Sequence, residues 1–95
     1  MYGDGNLISF YVSLTPRQRE VTFLVSQGLN NREVADRLCI APSVVAGHLT
    51  NIYESLANLD HEIPSGRADR YALIRLFADF FERFPELSRI SYTFD

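Results

Sequence analysis

Few side chains in this sequence are placed to do covalent or metal chemistry. His61 lies between Asp60 and Glu62, three residue types that ligate metals, but adjacent side chains do not all converge on one ion without help from elsewhere. His48 borders an apolar stripe, where a structural or phosphate-side hydrogen bond suits it better than catalysis. The single cysteine, Cys39, stands between Leu38 and Ile40 and reads as a small core residue; alone, it excludes an internal disulfide and fits a reducing compartment. There is no Gly-rich phosphate loop, and no Ser or Cys nucleophile with a base nearby. The sequence therefore points away from an enzyme, a bound metal and any cofactor. What remains is a surface. Over residues 42–56, Ser43, Gly47, Thr50, Asn51 and Glu54 recur on one side of a helical pattern whose other side carries Val45, Leu49, Ile52, Tyr53 and Leu56.

Such a face needs a scaffold, and local signals supply one. Thr15-Pro16-Arg17-Gln18 predicts a helix start, with Thr15 as N-cap, Pro16 in the first helical position and Gln18 completing a capping box. The helix runs to about Gln27, turns Val21, Leu24 and Val25 to one face, and ends at Gly28, where a left-handed residue is needed. Asn30 or Asn31 caps a short helix from Arg32 to Leu38, with Val34, Ala35 and Leu38 inward and Arg32, Asp36 and Arg37 outward. Pro42 opens the next helix, which reaches Leu56. A short helix, a tight turn and a longer amphipathic helix with a small, polar free face form an arrangement suited to reading a DNA major groove.

The flanking segments are read the same way. Leu7 to Val12 alternates as a strand does, and Ile90, Tyr92 and Phe94 alternate again, so two short terminal strands are expected to pair. Residues 57–66 form a loop by composition. A last helix runs from about Arg67 to Phe84. Its stripe of Tyr71, Ile74, Ala78 and Phe81 adjoins a second stripe of Leu73, Phe77, Phe80 and Phe84. Together they are wider than docking on the helix's own core requires, which makes Leu73, Phe77, Phe80 and Phe84 either the candidate dimer or partner surface or a face packed against the two terminal strands.

Ninety-five residues, 46% apolar and 13% aromatic, suit a single domain, 1–95, with residues 14–56 as its helix-turn-helix core. No apolar run approaches the ~20 residues of a membrane helix, and the start has no signal-peptide layout, so the expected location is the cytoplasm with no membrane partner. The net charge of −3 lacks the basic excess of proteins held by phosphates, and all nine basic residues are Arg.

The run Leu14-Thr15-Pro16-Arg17-Gln18-Arg19-Glu20-Val21, then Gln27-Gly28-Leu29-Asn30-Asn31-Arg32-Glu33-Val34-Ala35, then His48-Leu49-Thr50-Asn51-Ile52-Tyr53 resembles the LuxR-type (GerE-like) DNA-binding domain of bacterial transcription regulators. The resemblance implies a mainly all-α, four-helix domain. The third of those helices enters the major groove, and the fourth commonly forms a symmetric homodimer on paired half-sites of double-stranded DNA. Carried onto this sequence, it implies base contacts from Ala46, Gly47 and Thr50, with Ser43, Val44 and Asn51 nearby and Arg32 toward phosphate. Relatives usually carry Lys at the position of Ala46 and often basic residues near Glu54 and Ser55. Here the stretch from Pro42 to Leu56 has neither Lys nor Arg, which weakens its hold on phosphate. Gly47, costing about 1 kcal/mol inside a helix, points either to close backbone approach or to relaxed selection on an unused face.

The loop around Leu59 to Pro64 is longer than the pattern of relatives, and the last helix extends into an aromatic segment they lack. Two readings follow. One is a stand-alone, dimeric DNA-binding transcription regulator, associated with the nucleoid. The other is a protein-interaction module that keeps the helix-turn-helix scaffold and binds a partner regulator through the aromatic last helix. With about thirteen residues before its first helix, the chain is expected to lack a sensor domain and to be controlled by abundance, oligomerisation or a partner.

Overall fold

A computed structural model describes residues 4–59 and 69–90. The element order is α1 (Asp4–Ser13), α2 (Pro16–Ser26), α3 (Asn31–Leu38), α4 (Pro42–Leu59), α5 (Arg70–Arg83) and α6 (Pro85–Ile90), with no strand among the described residues. The all-α expectation therefore holds, and the N-terminal strand is corrected to a helix. Every residue from Leu7 to Val12 except Ser9 is apolar, so the run satisfies a period of two and a period of 3.6 alike. Helical spacing wins because Leu7, Phe10, Tyr11 and Leu14 all become buried on one side, whereas the alternating reading would have buried Val12, which is 53% exposed. Of the expected C-terminal strand, Ile90 ends α6 and residues 91–95 lie outside the described ones.

The local signals at the helix starts act as read. The Gln18 backbone N–H donates to Thr15 Oγ1 at 3.2 Å, and the Thr15 N–H donates to Gln18 Oε1 at 3.0 Å. A second capping box settles the start of α3: the Glu33 N–H donates to Asn30 Oδ1 and the Asn30 N–H to Glu33 Oε1, both at 2.9 Å. Gly28 takes φ +96, the left-handed conformation that closes α2. Two boundaries move by more than one residue. α4 continues three residues past Leu56, and α5 begins at Arg70 because Asp69, not a residue near Arg67, caps it by accepting from the Ala72 N–H at 3.1 Å.

Helix α2 lies at the centre, packed against α3, α4 and α5. Its Val21, Leu24 and Val25 join Val34, Ala35 and Leu38 of α3 and Val45, Leu49, Ile52 and Leu56 of α4 in one core. The other end of that core is aromatic. Phe77 lies 5.9 Å from Phe10 and 6.2 Å from Tyr11 between ring centroids, and Phe81 meets Tyr11 at 5.2 Å and Phe23 at 5.0 Å, both edge to face. The expected contact surface on the last helix is corrected accordingly. Leu73, Phe77 and Phe80 are fully buried within the chain. Phe84 is half-buried, 5.3 Å from Phe80. The broad stripe is wide because α1 and α2 both cover it.

A polar contact helps fasten α1 to this frame: Arg19 Nη1, on α2, donates to the Val12 carbonyl at 3.1 Å. A cation there also meets the negative end of the α1 dipole, and Arg19 is nearly as buried as the core.

Cys39, expected in the core, is instead exposed and ends α3 in the left-handed conformation, φ 58 and ψ 44. Its N–H and that of Ile40 both donate to the Ala35 carbonyl, which turns the chain sharply toward α4. For a residue with a Cβ this conformation costs about 1–2 kcal/mol. Cys39→Gly should therefore raise the urea midpoint, by about 1 kcal/mol of stability, while Cys39→Val should lower it; equal midpoints for the two variants would contradict the assigned backbone.

Candidate nucleic-acid interface

The site is built from the turn outward. α3 ends at Leu38, Cys39 reverses the chain, and the carbonyl of Ala41 accepts from the N–H groups of Val44 and Val45 to start α4. Val45, Leu49, Ile52 and Leu56 are all buried, so α4 is held along one edge. At about 100° per residue, the remaining positions fall on the far side. Ser43, Val44, Ala46, Gly47, Thr50, Asn51 and Glu54 are all exposed. Thus the expected base-facing residues share one continuous surface on a single helix. Arg32 is also exposed but stands apart from them, in the first turn of α3.

The face has distinct chemistry. α4 contains no Arg or Lys, and its one full charge is that of Glu54. From Leu14 to Leu59, four Arg residues are matched by four acidic ones. Arg17 is turned to Glu20, 3.5 Å away, a surface pair of small energetic weight. Thr50 donates its hydroxyl proton to the Ala46 carbonyl at 3.1 Å. Gly47 has open space around it, nothing within 4 Å of a Cβ built there. No part of the described chain requires glycine at that position, so its cost to the helix is not repaid by internal packing.

Behind the face, a junction missed in the sequence ties three elements together. Arg70, the first residue of α5, donates through Nη2 to the Leu29 carbonyl at 3.2 Å, bridging to the connection between α2 and α3. Tyr53 of α4 is half-buried beside it. Burial pushes its phenol above the usual range, Arg70 opposes that shift and Asp69 reinforces it. Asp69 as an N-cap was the signal available in the sequence; the reach of Arg70 across 41 positions to Leu29 had none. His61 with Asp60 and Glu62 lies outside the described residues.

Comparison with known proteins bears on this geometry. Residues 12–58 match the family described as bacterial regulatory proteins, luxR family (GerE). Over 44 residues the chain is 50% identical to a Mycobacterium bovis protein named as an HTH-type transcriptional regulator, a match covering 46% of this chain and 5% of that protein. It is 36% identical over 62 residues to the transcriptional regulatory protein LnrK of Bacillus subtilis, covering 65% of this chain and 28% of LnrK. It is 38% identical over 50 residues to the tetrathionate response regulatory protein TtrR of Salmonella typhimurium, covering 53% of this chain and 24% of TtrR. The chain thus spans under a third of the length of each of these relatives. No solved structure matches it.

Because the space around Gly47 is open, Gly47→Ala should stabilise the protein by about 1 kcal/mol through helix propensity alone. Thermal or urea unfolding checks this, and a loss of stability would reveal an internal contact at that position.

Proposed function

Since residues 12–58 are a luxR-family helix-turn-helix domain, the type found in bacterial transcription regulators, we propose that this chain is a DNA-binding transcription regulator that places the exposed face of α4 in the major groove. One observation carries the reading: α4 is anchored along a single apolar edge while Ser43, Val44, Ala46, Gly47, Thr50 and Asn51 together remain uncovered. Arg32, exposed on α3, is the candidate phosphate contact. The protein would act in the cytoplasm on the nucleoid.

The regulator is proposed to act as a homodimer through α5, on a face different from the buried aromatic one. Tyr71, 78% exposed, shares the outer side of α5 with Arg75, Ala78, Asp79 and Glu82. In an antiparallel, two-fold pairing centred near Ala78, Arg75 of one subunit falls opposite Glu82 of the other, so the surface is complementary to itself in charge.

A second reading is favoured by the absence of Arg and Lys from α4 and the presence of Glu54 on the same face. In it the scaffold is retained and the chain binds a partner regulator rather than DNA. Salt separates the two. Fluorescence anisotropy against random duplex should show binding at ~50 mM salt that weakens as salt rises, and no binding at ~50 mM would move the function to the partner-binding reading. On the DNA-binding reading, Ala46→Lys should tighten nonspecific binding by up to about tenfold, because it adds a cation to a face that has none. For the dimer, sedimentation should show Arg75→Glu dissociating the pair and Arg75→Glu with Glu82→Arg restoring it. A wild-type protein that stays monomeric at high concentration would remove the dimer.

A further inference from the structure

The exposed face of α4 is apolar where a groove-reading helix usually meets the bases. Recognition helices present their N-terminal residues to base edges, and in the first turn of α4 Val44 is 45% exposed, flanked by exposed Ala41, Pro42 and Ala46. Its exposure does not come from loose packing, since its neighbour Val45 is fully buried. Asn51 lies two turns further along the same edge as Val44, and Thr50 lies between the Val44 and Ala46 edges. The Thr50 hydroxyl proton is already engaged by the Ala46 carbonyl, which leaves the groove a methyl group and an acceptor oxygen. Glu54, the one charge, sits about 15 Å further along the helix than Val44.

No side chain on this face can make the two-pronged cationic contact to guanine O6 and N7. Its inventory is the methyl groups of Val44, Ala46 and Thr50, the amide of Asn51, and the hydroxyl oxygens of Ser43 and Thr50, which suit either kind of pair. In the major groove, thymine alone presents a methyl group, and adenine alone pairs its N6 and N7 with an amide. Short aliphatic side chains reach a base only if the helix backbone comes close, and Gly47, with no Cβ and open space around it, lies at the centre of the face.

We infer that α4 selects A·T pairs through the thymine C5 methyl, with Val44 as the principal specificity-determining residue and Asn51 as the adenine contact. This rests on the DNA-binding reading above and deepens it: sequence preference comes from shape and apolar contact rather than from cations.

The test uses the full chain. Binding sequences are enriched from a randomised duplex pool at ~50 mM salt, and each thymine in the enriched duplex is then replaced by deoxyuridine, which removes one methyl while keeping charge and hydrogen-bonding groups. A·T-rich half-sites are expected, with at least one replacement per half-site weakening binding about fourfold. Val44→Ser, at an exposed position, should keep the wild-type unfolding midpoint and salt dependence but lose most of the discrimination between thymine and uracil. Enrichment of G·C-rich sites, indifference to uracil, or unchanged discrimination in Val44→Ser would each overturn the inference while leaving DNA binding intact. Failure to bind any duplex would overturn both.

Discussion

Helix α2 is enclosed by its neighbours, with Arg19, Val21, Thr22, Leu24, Val25 and Ser26 all buried, and the placement of the other helices follows from filling that enclosure. α4 contributes Val45, Leu49, Ile52 and Leu56, and α5 contributes Leu73, Phe77, Phe80 and Phe81. Each of these large side chains gains about 1.5–3 kcal/mol on leaving water. Because the core takes the edge of α4 that carries Val45, Leu49, Ile52 and Leu56, its other side is left outward. The candidate interface is thus a consequence of how α2 is covered.

The aromatic end of the molecule plays a different part. α5 and α6 lie beyond the family match at residues 12–58, and α1 only reaches its start, yet α1 and α5 supply most of the rings that close over α2. Two arginines join these outer helices to the helix-turn-helix. Arg19 reaches the end of α1 at Val12, and Arg70 reaches the carbonyl of Leu29. Both use a backbone carbonyl that a closing helix or turn leaves available, so each contact holds an element by its end. The start of α5 is thereby referred to the connection preceding α3, close to the helix that presents the candidate interface.

That interface combines an intact scaffold with a face that carries no cation. Phosphate contacts position a protein on DNA and base contacts specify sequence. A helix-turn-helix with equal numbers of basic and acidic residues from Leu14 to Leu59 draws little from the first and must rely more on the second. Val44 and Gly47 express the same tendency in opposite ways, one adding apolar surface and the other removing a side chain. Neither is explained by the core, since both are exposed and nothing within the chain packs against a Cβ at Gly47.

The cap at Thr15, the left-handed Gly28 and the buried edge of α4 were readable in the sequence because each depends on residues a few positions apart, whereas the cap of α3 stood between Asn30 and Asn31 until the capping box with Glu33 placed it at Asn30. Where the signal was local but degenerate, as in the nearly continuous apolar run of α1, it could not choose between strand and helix. The covering of Phe77 and Phe80 by α1 joins opposite ends of the chain, and no segment alone carries that information. Cys39 is exposed for a related reason: the sharpness of its turn is set by how α3 must meet α4, not by the apolar residues on either side. Spacing along the chain determined that α2, α3, α4 and α5 are helices and which edge of α4 is buried. Which face of α5 meets the core, and therefore which is left for another molecule, was decided by contacts between distant helices, where the energy of burial resides.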